Sequence, residues 1–358
     1  MAQKVLITGG LGYLGSVIAP YLADRGVDVT VLDTGFFKDC LLTDERPVQT
    51  VLKDARDITE SDLQGFGAVV HLAGISNDLF GNLTAEKIYD PTRAYAKRIA
   101  SMCKKLGVRF IFASSCSIYG KGGSAGLSED SPTSPQTPYS LNKLQIEGDL
   151  MELADSTFSP IALRFATAFG MSPRMRFDIV INMLVGMAVA EGKITLNSDG
   201  AAWRPNVHVE DIASSVYCAL KSGYEDRKLL VLNVGSDKNN MKIADIAALV
   251  SAECGSIPVT LLKENASSED KLVQSKLIGK SSTDTRTYRV SFAKIRNYFP
   301  EFSCRHTIRD GISEMRDAFK RIELTSALFK NPNFYRLQTI ERLLTEKRIG
   351  DDLRWRDT

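Results

Sequence analysis

The stretch VLITGGLGYLGS, residues 5–16, decides the fold that we predict for this chain. It places three glycines, Gly9, Gly12 and Gly15, directly behind an apolar run typical of a short buried strand. The following segment, YLGSVIAPYLADRG, has the apolar spacing of a helix, and VDVTVLD is a second apolar run. Strand, glycine-rich turn, helix and strand together predict a βαβ unit at the start of the chain.

The glycine spacing fits a turn that holds the diphosphate of a dinucleotide. Gly9 would permit the turn, Gly12 would let backbone N–H groups approach the diphosphate, and Gly15 would let helix and strand pack closely. Asp33 ends the next strand, 18 residues after Gly15, and would accept hydrogen bonds from the adenosine ribose. Because a carboxylate there repels a 2′-phosphate, the pattern favours NAD over NADP. The alternative is a purely structural turn, since glycine triplets with this spacing also arise by chance.

Further apolar runs at GAVVHLAG, RFIFASSCSIYG and FSPIALRFATAFG alternate with helical stretches. This alternation predicts an α/β fold of the Rossmann type, a doubly wound parallel sheet with a smaller C-terminal α/β substrate-binding region. Asp90 and Pro91 predict the N-cap and first turn of a helix that Gly107 closes. The stretch GKGGSAGLSEDSPTSPQTP, residues 120–138, predicts a surface connection or a lid.

Composition excludes several classes of protein. The 358 residues include 45 Lys and Arg against 43 Asp and Glu, with no block of like charge, so we expect neither nucleic acid nor a membrane as partner. The six cysteines are widely spaced and there are three histidines, which argues against a metal site or a disulfide framework. The chain opens without a basic-then-apolar leader, and its apolar runs are shorter than a bilayer span, so we expect a cytoplasmic location.

A second motif, YSLNK, spans Tyr139 to Lys143. A phenol has an unperturbed pKa of about 10, and an ammonium four residues later on the same helical face stabilises the phenolate. Tyr139 is therefore a candidate proton shuttle, although this spacing also occurs on solvated helices. The stretch FASSCSIYG supplies hydroxyls at Ser114, Ser115 and Ser117 after a strand, where they could reach the same substrate oxygen.

Seven features occur in a fixed order along the chain: TGGLGYLGS, Asp33, DARD at 54–57, HLAG at 71–74, SSCSIYG at 114–120, YSLNK and WRPNVHVEDIA at 203–213. On the basis of these features, roughly residues 3 to 320 resemble the extended short-chain dehydrogenases/reductases. Within that group they resemble the NAD-dependent nucleotide-sugar epimerase/dehydratase family, which includes UDP-galactose 4-epimerase-like enzymes. The resemblance implies NAD as cofactor, a nucleotide-diphosphate sugar as substrate and a role in carbohydrate biosynthesis. It also implies a homodimer joined through helices at 91–106 and 139–154.

The resemblance assigns roles to individual residues. It makes Tyr139 the catalytic tyrosine, Lys143 its partner and a ligand to the nicotinamide ribose, and Ser115 the hydroxyl that bonds the reacting oxygen. The cofactor-binding residues would be Gly9, Gly12, Tyr13, Leu14, Gly15, Asp33, Asp54, Ala55, Leu72, Ala73, Gly74, Ser114, Tyr139 and Lys143. For the substrate, the resemblance implies Ser115 and makes Arg204 the match to the family's diphosphate-binding arginine. Further substrate-binding candidates are Ser117, Thr167, Arg174 and Arg286, and for the last two a solvated surface cation is the alternative.

The expected activity is epimerisation through a transient keto-sugar. Tyr139 would remove a proton from a sugar hydroxyl while hydride passes to NAD and later returns on the other face of the ketone. An NAD-dependent dehydrogenase or a keto-sugar reductase would use the same residues, and a non-catalytic NAD-sensing or scaffold protein is the alternative of another class. A dehydratase is disfavoured, because Cys116 and Ser117 occupy the positions where dehydratases of this family carry Asp and Glu.

On this basis we divide the chain into three parts. An NAD-binding Rossmann domain covers residues 1–170, and segments at about 205–235 return to it. A nucleotide-sugar binding region covers 171–204 and 236–325, including the polar stretch SSEDKLVQSKLIGKSSTDT. Residues 326–358 form a C-terminal helical tail.

Overall fold

The computed structural model describes residues 3–76, 84–196, 198–261 and 286–356, so the polar stretch before Arg286 lies outside the described residues. In chain order the strands are β1 (Lys4–Thr8), β2 (Asp28–Asp33), β3 (Gln49–Leu52), β4 (Ala68–His71), β5 (Arg109–Ser115), β6 (Lys121–Leu127), β7 (Ile161–Phe165), β8 (Thr167–Phe169), β9 (Ile194–Leu196), β10 (Trp203–His208), β11 (Leu230–Val234), β12 (Asn240–Lys242), β13 (Val259–Leu261) and β14 (Thr287–Val290).

The helices are α1 (Gly15–Ala23), α2 (Glu60–Leu63), α3 (Ala85–Leu106), α4 (Pro138–Leu153), α5 (Val180–Glu191), α6 (Val209–Lys221), α7 (Ile243–Glu253), α8 (Ile295–Tyr298), α9 (Ile308–Arg321), α10 (Ser326–Phe329) and α11 (Arg336–Thr345). Short 3₁₀ turns lie at Ala55–Asp57, Cys116–Tyr119, Asp237–Asn239 and Pro332–Phe334.

A seven-stranded parallel sheet forms the centre, with the order β11-β7-β5-β4-β1-β2-β3. The chain runs outward from β1 to β3, then returns to β4 on the other side of β1 and runs outward again. This order confirms the predicted doubly wound α/β fold. The loops after β1 and β4 diverge where the strand order reverses, which leaves a crevice at the carboxyl ends of these strands.

The sheet carries helices on both faces, so the central positions of its inner strands are largely apolar. In β1, Val5 and Ile7 pack into a cluster with α1 and α6, and Leu6 packs on the opposite face with α3 and α4. Each of these three side chains is at most 2% exposed. Successive side chains of the strand point to opposite faces, and in β1 both faces pack into a core.

A second core lies beside the sheet, built by α5, α7, α9 and α10. Phe177, Leu184 and Phe319 are completely buried there. Three small sheets accompany it: β12-β10-β8, the pair β13-β9 and the pair β14-β6. The domain boundaries drawn from the sequence stay a prediction.

One local expectation is wrong. Helix α3 begins at Ala85 with Thr84 as its N-cap, so Pro91 lies inside the helix and the predicted start at Asp90 is wrong. The hydroxyl of Thr92 bonds the Ile88 carbonyl (2.6 Å), next to the position where Pro91 lacks a donor. Gly107 does end α3, with φ +67°. The glycine-rich stretch 120–138 contains β6, which pairs with β14.

The chain ends in a segment that folds back against the carboxyl ends of β2 and β3. Ile349 and Leu353 are buried with Ile340 and Leu343 of α11 in a small apolar cluster. The Trp355 indole donates to the Thr34 carbonyl (2.6 Å). No helix in the described ranges has the length and apolar character required to cross a bilayer.

Candidate active site

One large cleft opens where the strand order reverses. All residues that the motifs assign to the cofactor line it, from Gly9 to Lys143. The cleft is also lined by five residues of the substrate assignment: Ser115, Ser117, Thr167, Arg204 and Arg286. The fold therefore brings together side chains and loops that are up to 277 positions apart in the chain.

The glycine loop leaves no room for side chains. Gly9 has φ +76°, and a Cβ there would lie 2.6 Å from the Ala73 nitrogen. A Cβ on Gly15 would lie 2.4 Å from the Gly10 backbone. Helix α1 begins at Gly15, so its free backbone N–H groups and positive dipole end face the cleft. The arrangement fits a bound diphosphate.

Asp33 stands at the carboxyl end of β2 and fixes the loops around it. Its carboxylate accepts the backbone N–H of Leu11 (3.0 Å) and of Gly35 (2.7 Å). Burial raises the pKa of this carboxyl group, and the two N–H donors oppose that shift. Each carboxylate oxygen has two lone pairs, so the group can still accept ribose hydroxyls.

The end of the cleft beyond Asp33 combines the 54–57 motif with the chain terminus. Arg56 pairs with Asp54 (2.6 Å) and donates to the carbonyls of Asp352 (2.6 Å) and Leu353 (2.8 Å). Ala55 is buried between them and Leu72 to Gly74. Asp352 and Leu353 also line the cleft.

Helix α4 positions Tyr139 and Lys143. Thr137 caps the helix in a reciprocal pair with Ser140, and Pro138 is its first residue. Lys143 is buried; its ammonium donates to the Ala113 carbonyl (2.7 Å) and lies 5.6 Å from the centre of the Tyr139 ring. Burial lowers the pKa of Lys143 to about 8, and the nearby Glu147 carboxylate limits the shift.

The serines at the end of β5 face different surroundings. The Ser114 hydroxyl donates to Glu147 (2.5 Å), which forms a buried ion pair with Arg164 (2.7 Å). The Ser115 hydroxyl accepts the Ser117 N–H (3.1 Å) at the mouth of the cleft. The hydroxyl of Ser117 is buried and has no protein partner in the described part of the chain.

The arginines named from the sequence separate into two groups. Arg204 and Arg286 lie together in the cleft wall, where the Arg204 guanidinium contacts the Arg286 carbonyl. Arg174 is buried beneath the wall and does not line the cleft. Its guanidinium contacts Glu45 and donates to the Phe37 (3.2 Å) and Lys38 (3.1 Å) carbonyls, so it is not positioned to meet a substrate.

The cleft wall also contains residues that no motif indicated. They include Arg336, Asp352 and Leu353. Arg176, two residues after Arg174, lines the cleft and pairs with Asp178 (2.8 Å). Both arginines belong to the stretch MSPRMRFD, residues 171–178, and nothing local to that stretch distinguishes the arginine that lines the cleft.

Comparison with known proteins identifies the family. Residues 5–235 match the model of the NAD dependent epimerase/dehydratase family. The chain belongs to this family. This confirms the resemblance seen in the motifs, and with it the dependence on NAD.

A UDP-glucose 4-epimerase from Corynebacterium glutamicum is 30% identical over 259 residues, which cover 65% of this chain and 75% of that one. A UDP-glucuronic acid 4-epimerase from Bacillus cereus has a similar fold, with a TM-score of 0.70 and 22% identity over 89% of this chain and all of the other. An NAD-dependent NDP-hexosamine 5,6-dehydratase also has this fold, with a TM-score of 0.71, 20% identity and coverage of 89% and 98%. The fold thus hosts more than one reaction.

Proposed function

We propose that this protein is an NAD-dependent nucleotide-sugar epimerase that acts through a transient keto-sugar. The observation that carries the proposal is the convergence of Tyr139, Lys143 and Ser115 in the cleft that the glycine loop and Asp33 also line. The matching UDP-glucose 4-epimerase of Corynebacterium glutamicum supports the same class of substrate.

The residues at the glycine loop fit NAD. A Cβ on Gly9 or Gly15 would clash with the neighbouring backbone and displace the turn that presents backbone N–H groups to the cleft. Backbone N–H groups at the start of α1 would hold the diphosphate, Asp33 the adenosine ribose and Lys143 the nicotinamide ribose. When bound, NAD would supply a reversible acceptor for the hydride of a sugar carbon.

Side chains of the protein would carry out the proton transfer. As phenolate, Tyr139 would accept the proton of the sugar hydroxyl, commonly the one at C4, and give it back to the ketone oxygen. The Lys143 ammonium, held by the Ala113 carbonyl, would stabilise the phenolate by its charge. Ser115 would donate a hydrogen bond to the same oxygen. Inversion would follow when the ketone turns over within the cleft before it is reduced.

The surroundings of Cys116 argue against dehydration. Its thiol is buried, donates to the Arg164 carbonyl (3.1 Å) and does not line the cleft. Burial raises the pKa of this thiol far above neutral pH. The position at which dehydratases of the family carry an acid therefore holds a group that cannot exchange protons with a substrate.

Arg204 and Arg286 support a nucleotide-diphosphate sugar as the substrate, because their guanidinium groups would meet its two negative charges. A homodimer joined through α3 and α4 is part of the same proposal. Leu141 and Met151 on α4 are 46% and 65% exposed, as expected for apolar residues that a second copy would cover.

The test is incubation of the purified protein with UDP-glucose, UDP-galactose and UDP-glucuronic acid. Product stereochemistry would be read by NMR, and NADH by its absorbance. Inversion without accumulation of NADH supports the epimerase, whereas accumulation of NADH indicates a dehydrogenase and turnover that requires added NADH indicates a reductase. NAD binding without any turnover indicates a sensor or scaffold protein.

Tyr139→Phe is the decisive variant, because it removes one hydroxyl and leaves the ring in place. We expect turnover to fall about 10²- to 10⁴-fold while NAD still binds. Tyr298→Phe, at an exposed ring distant from the cleft lining, is the matched control and should retain full turnover. Equal activity of both variants would disprove the assigned role of Tyr139.

A further inference from the structure

Arg336, the first residue of α11, is a buried cation with an unused donor. Its side chain lines the cleft, although the residue is only 4% exposed. One nitrogen, Nη2, donates to the Arg174 carbonyl (3.1 Å), and the guanidinium carbon lies 4.2 Å from the centre of the Phe37 ring. The other nitrogen, Nη1, has no hydrogen-bond partner in the described chain. Leaving such a donor unpaired in a buried site is costly.

Arg336 differs from the two neighbouring arginines in its direct partners. Arg174 contacts Glu45, and both nitrogens of the Arg176 fork bind Asp178 (2.8 and 3.0 Å). Arg336 forms no ion pair with a carboxylate among the residues described. Burial, followed by repulsion from Arg176, lowers the pKa of Arg336 to about 10. The Asp33 and Asp178 carboxylates lie near enough to Arg336 to interact with its charge, but neither accepts from its guanidinium. Of the three guanidinium groups, Arg336 alone lacks a direct carboxylate partner within the described ranges, and its free N–H lacks an acceptor there.

The missing anion would lie beside the glycine loop. Arg174, whose carbonyl accepts from Arg336, also donates to the Ser16 hydroxyl in the first turn of α1 (3.3 Å). Phe37, under the Arg336 guanidinium, follows Asp33 closely in the chain. The arginine and the N-terminus of α1 therefore border the same part of the cleft.

We propose that Arg336 binds the diphosphate of NAD from the side of the cleft opposite the glycine loop. The proposal deepens the cofactor assignment and rests on it. A guanidinium presents parallel N–H groups that match two phosphate oxygens, and the stacking on Phe37 fixes its plane. The substrate's diphosphate is the less suitable anion, because Arg204 and Arg286 already serve that role in the proposed function. Arg336 lies outside residues 5–235, the part that matches the family model.

The test is calorimetric binding to the NAD-free protein, which needs no turnover. We expect Arg336→Met to weaken NAD and ADP about 10- to 100-fold by the same factor, and adenosine less than twofold, because adenosine lacks phosphate. Arg336→Lys keeps the charge but loses the fork, so we expect a smaller loss for NAD and ADP. Arg342→Gln, at a half-exposed arginine on the same helix, is the matched control and should bind all three ligands normally.

Stability separates a binding role from a structural one. Because Met removes a buried cation without a carboxylate partner, the NAD-free variant should melt no lower than the wild type. If Arg336→Met does not fold, the Arg336→Lys variant becomes the test. Wild-type affinity of that variant for NAD and ADP would overturn the proposal.

Three other outcomes would also overturn it. Equal losses for adenosine and ADP would mean that Arg336 shapes the cleft without binding phosphate. A loss confined to UDP-sugars would assign the arginine to the substrate, and a loss confined to NADP would assign it to a 2′-phosphate. Failure of the wild type itself to bind NAD would refute the cofactor assignment and is distinguishable from all of these.

Discussion

The two sides of the cleft are anchored in different ways. The sheet side, formed by the carboxyl ends of β1, β4 and β5 with α4, rests on the Glu147–Arg164 ion pair, whose side chains are 4% and 6% exposed. The tail side, residues 336–356, is joined to the Rossmann sheet partly through Arg354 and Asp57, which are 41% and 47% exposed. A broken buried pair leaves an uncompensated charge, whereas an exposed pair contributes little. The proposed proton chemistry therefore lies on the firmly held side.

The largest effect is expected from removing the buried anchor. Glu147→Ala would leave the Arg164 guanidinium and the Ser114 hydroxyl without their partner. We expect the free energy of unfolding to fall by about 3–5 kcal/mol in urea denaturation. Glu60→Ala, which breaks an exposed pair with Lys105, should cost less than about 1 kcal/mol. Similar losses in the free energy of unfolding for the two variants would show that the buried ion pair holds the sheet side no more firmly than an exposed pair would.

A second effect comes from the buried ammonium on the sheet side. Because the pKa of Lys143 is about 8 when folded and about 10.4 when unfolded, the unfolded chain binds the extra proton between these values. Stability of the NAD-free protein should therefore rise with pH in this window, by about 3 kcal/mol relative to Lys143→Met. Denaturation of both proteins from pH 7 to 10.5 measures it. A constant difference would show that Lys143 is not desolvated.

The smallest effect is expected on the tail side. Arg354→Ala removes the exposed pair with Asp57 and should change the global free energy of unfolding by less than about 1 kcal/mol. Hydrogen exchange should still become faster at residues 346–356, the segment that the Arg354–Asp57 pair helps to hold against the sheet. Salt should have the same local effect in the wild type. If protection is lost throughout the sheet instead, the tail is an integral part of the main core.

The features that the sequence predicted correctly are local. The turn from β1 into α1 needs glycine because the backbone of Gly10 lies 2.4 Å from a Cβ on Gly15, and such a requirement is visible in a short motif. The alternation of apolar runs and helices likewise sufficed for the parallel sheet. Both properties depend on residues a few positions apart.

The features that the sequence did not reveal arise where distant parts of the chain meet. Helix α3 extends before Pro91 because Ile88 and Tyr89 are buried against Ile340 of α11, which no local rule detects. Strand β6 forms in a glycine-rich stretch because β14 pairs with it. Arg336 follows no motif, and only the folded chain brings it to the cleft.

The placement of Arg336 near the end of the chain has a consequence for biosynthesis. The glycine loop, Tyr139 and Lys143 leave the ribosome well before α11 is made. At ordinary translation speeds the delay is roughly 10 to 40 s. A nascent chain would thus expose the crevice before Arg336 can contribute, so it would bind the dinucleotide more weakly until α11 has been made and folded.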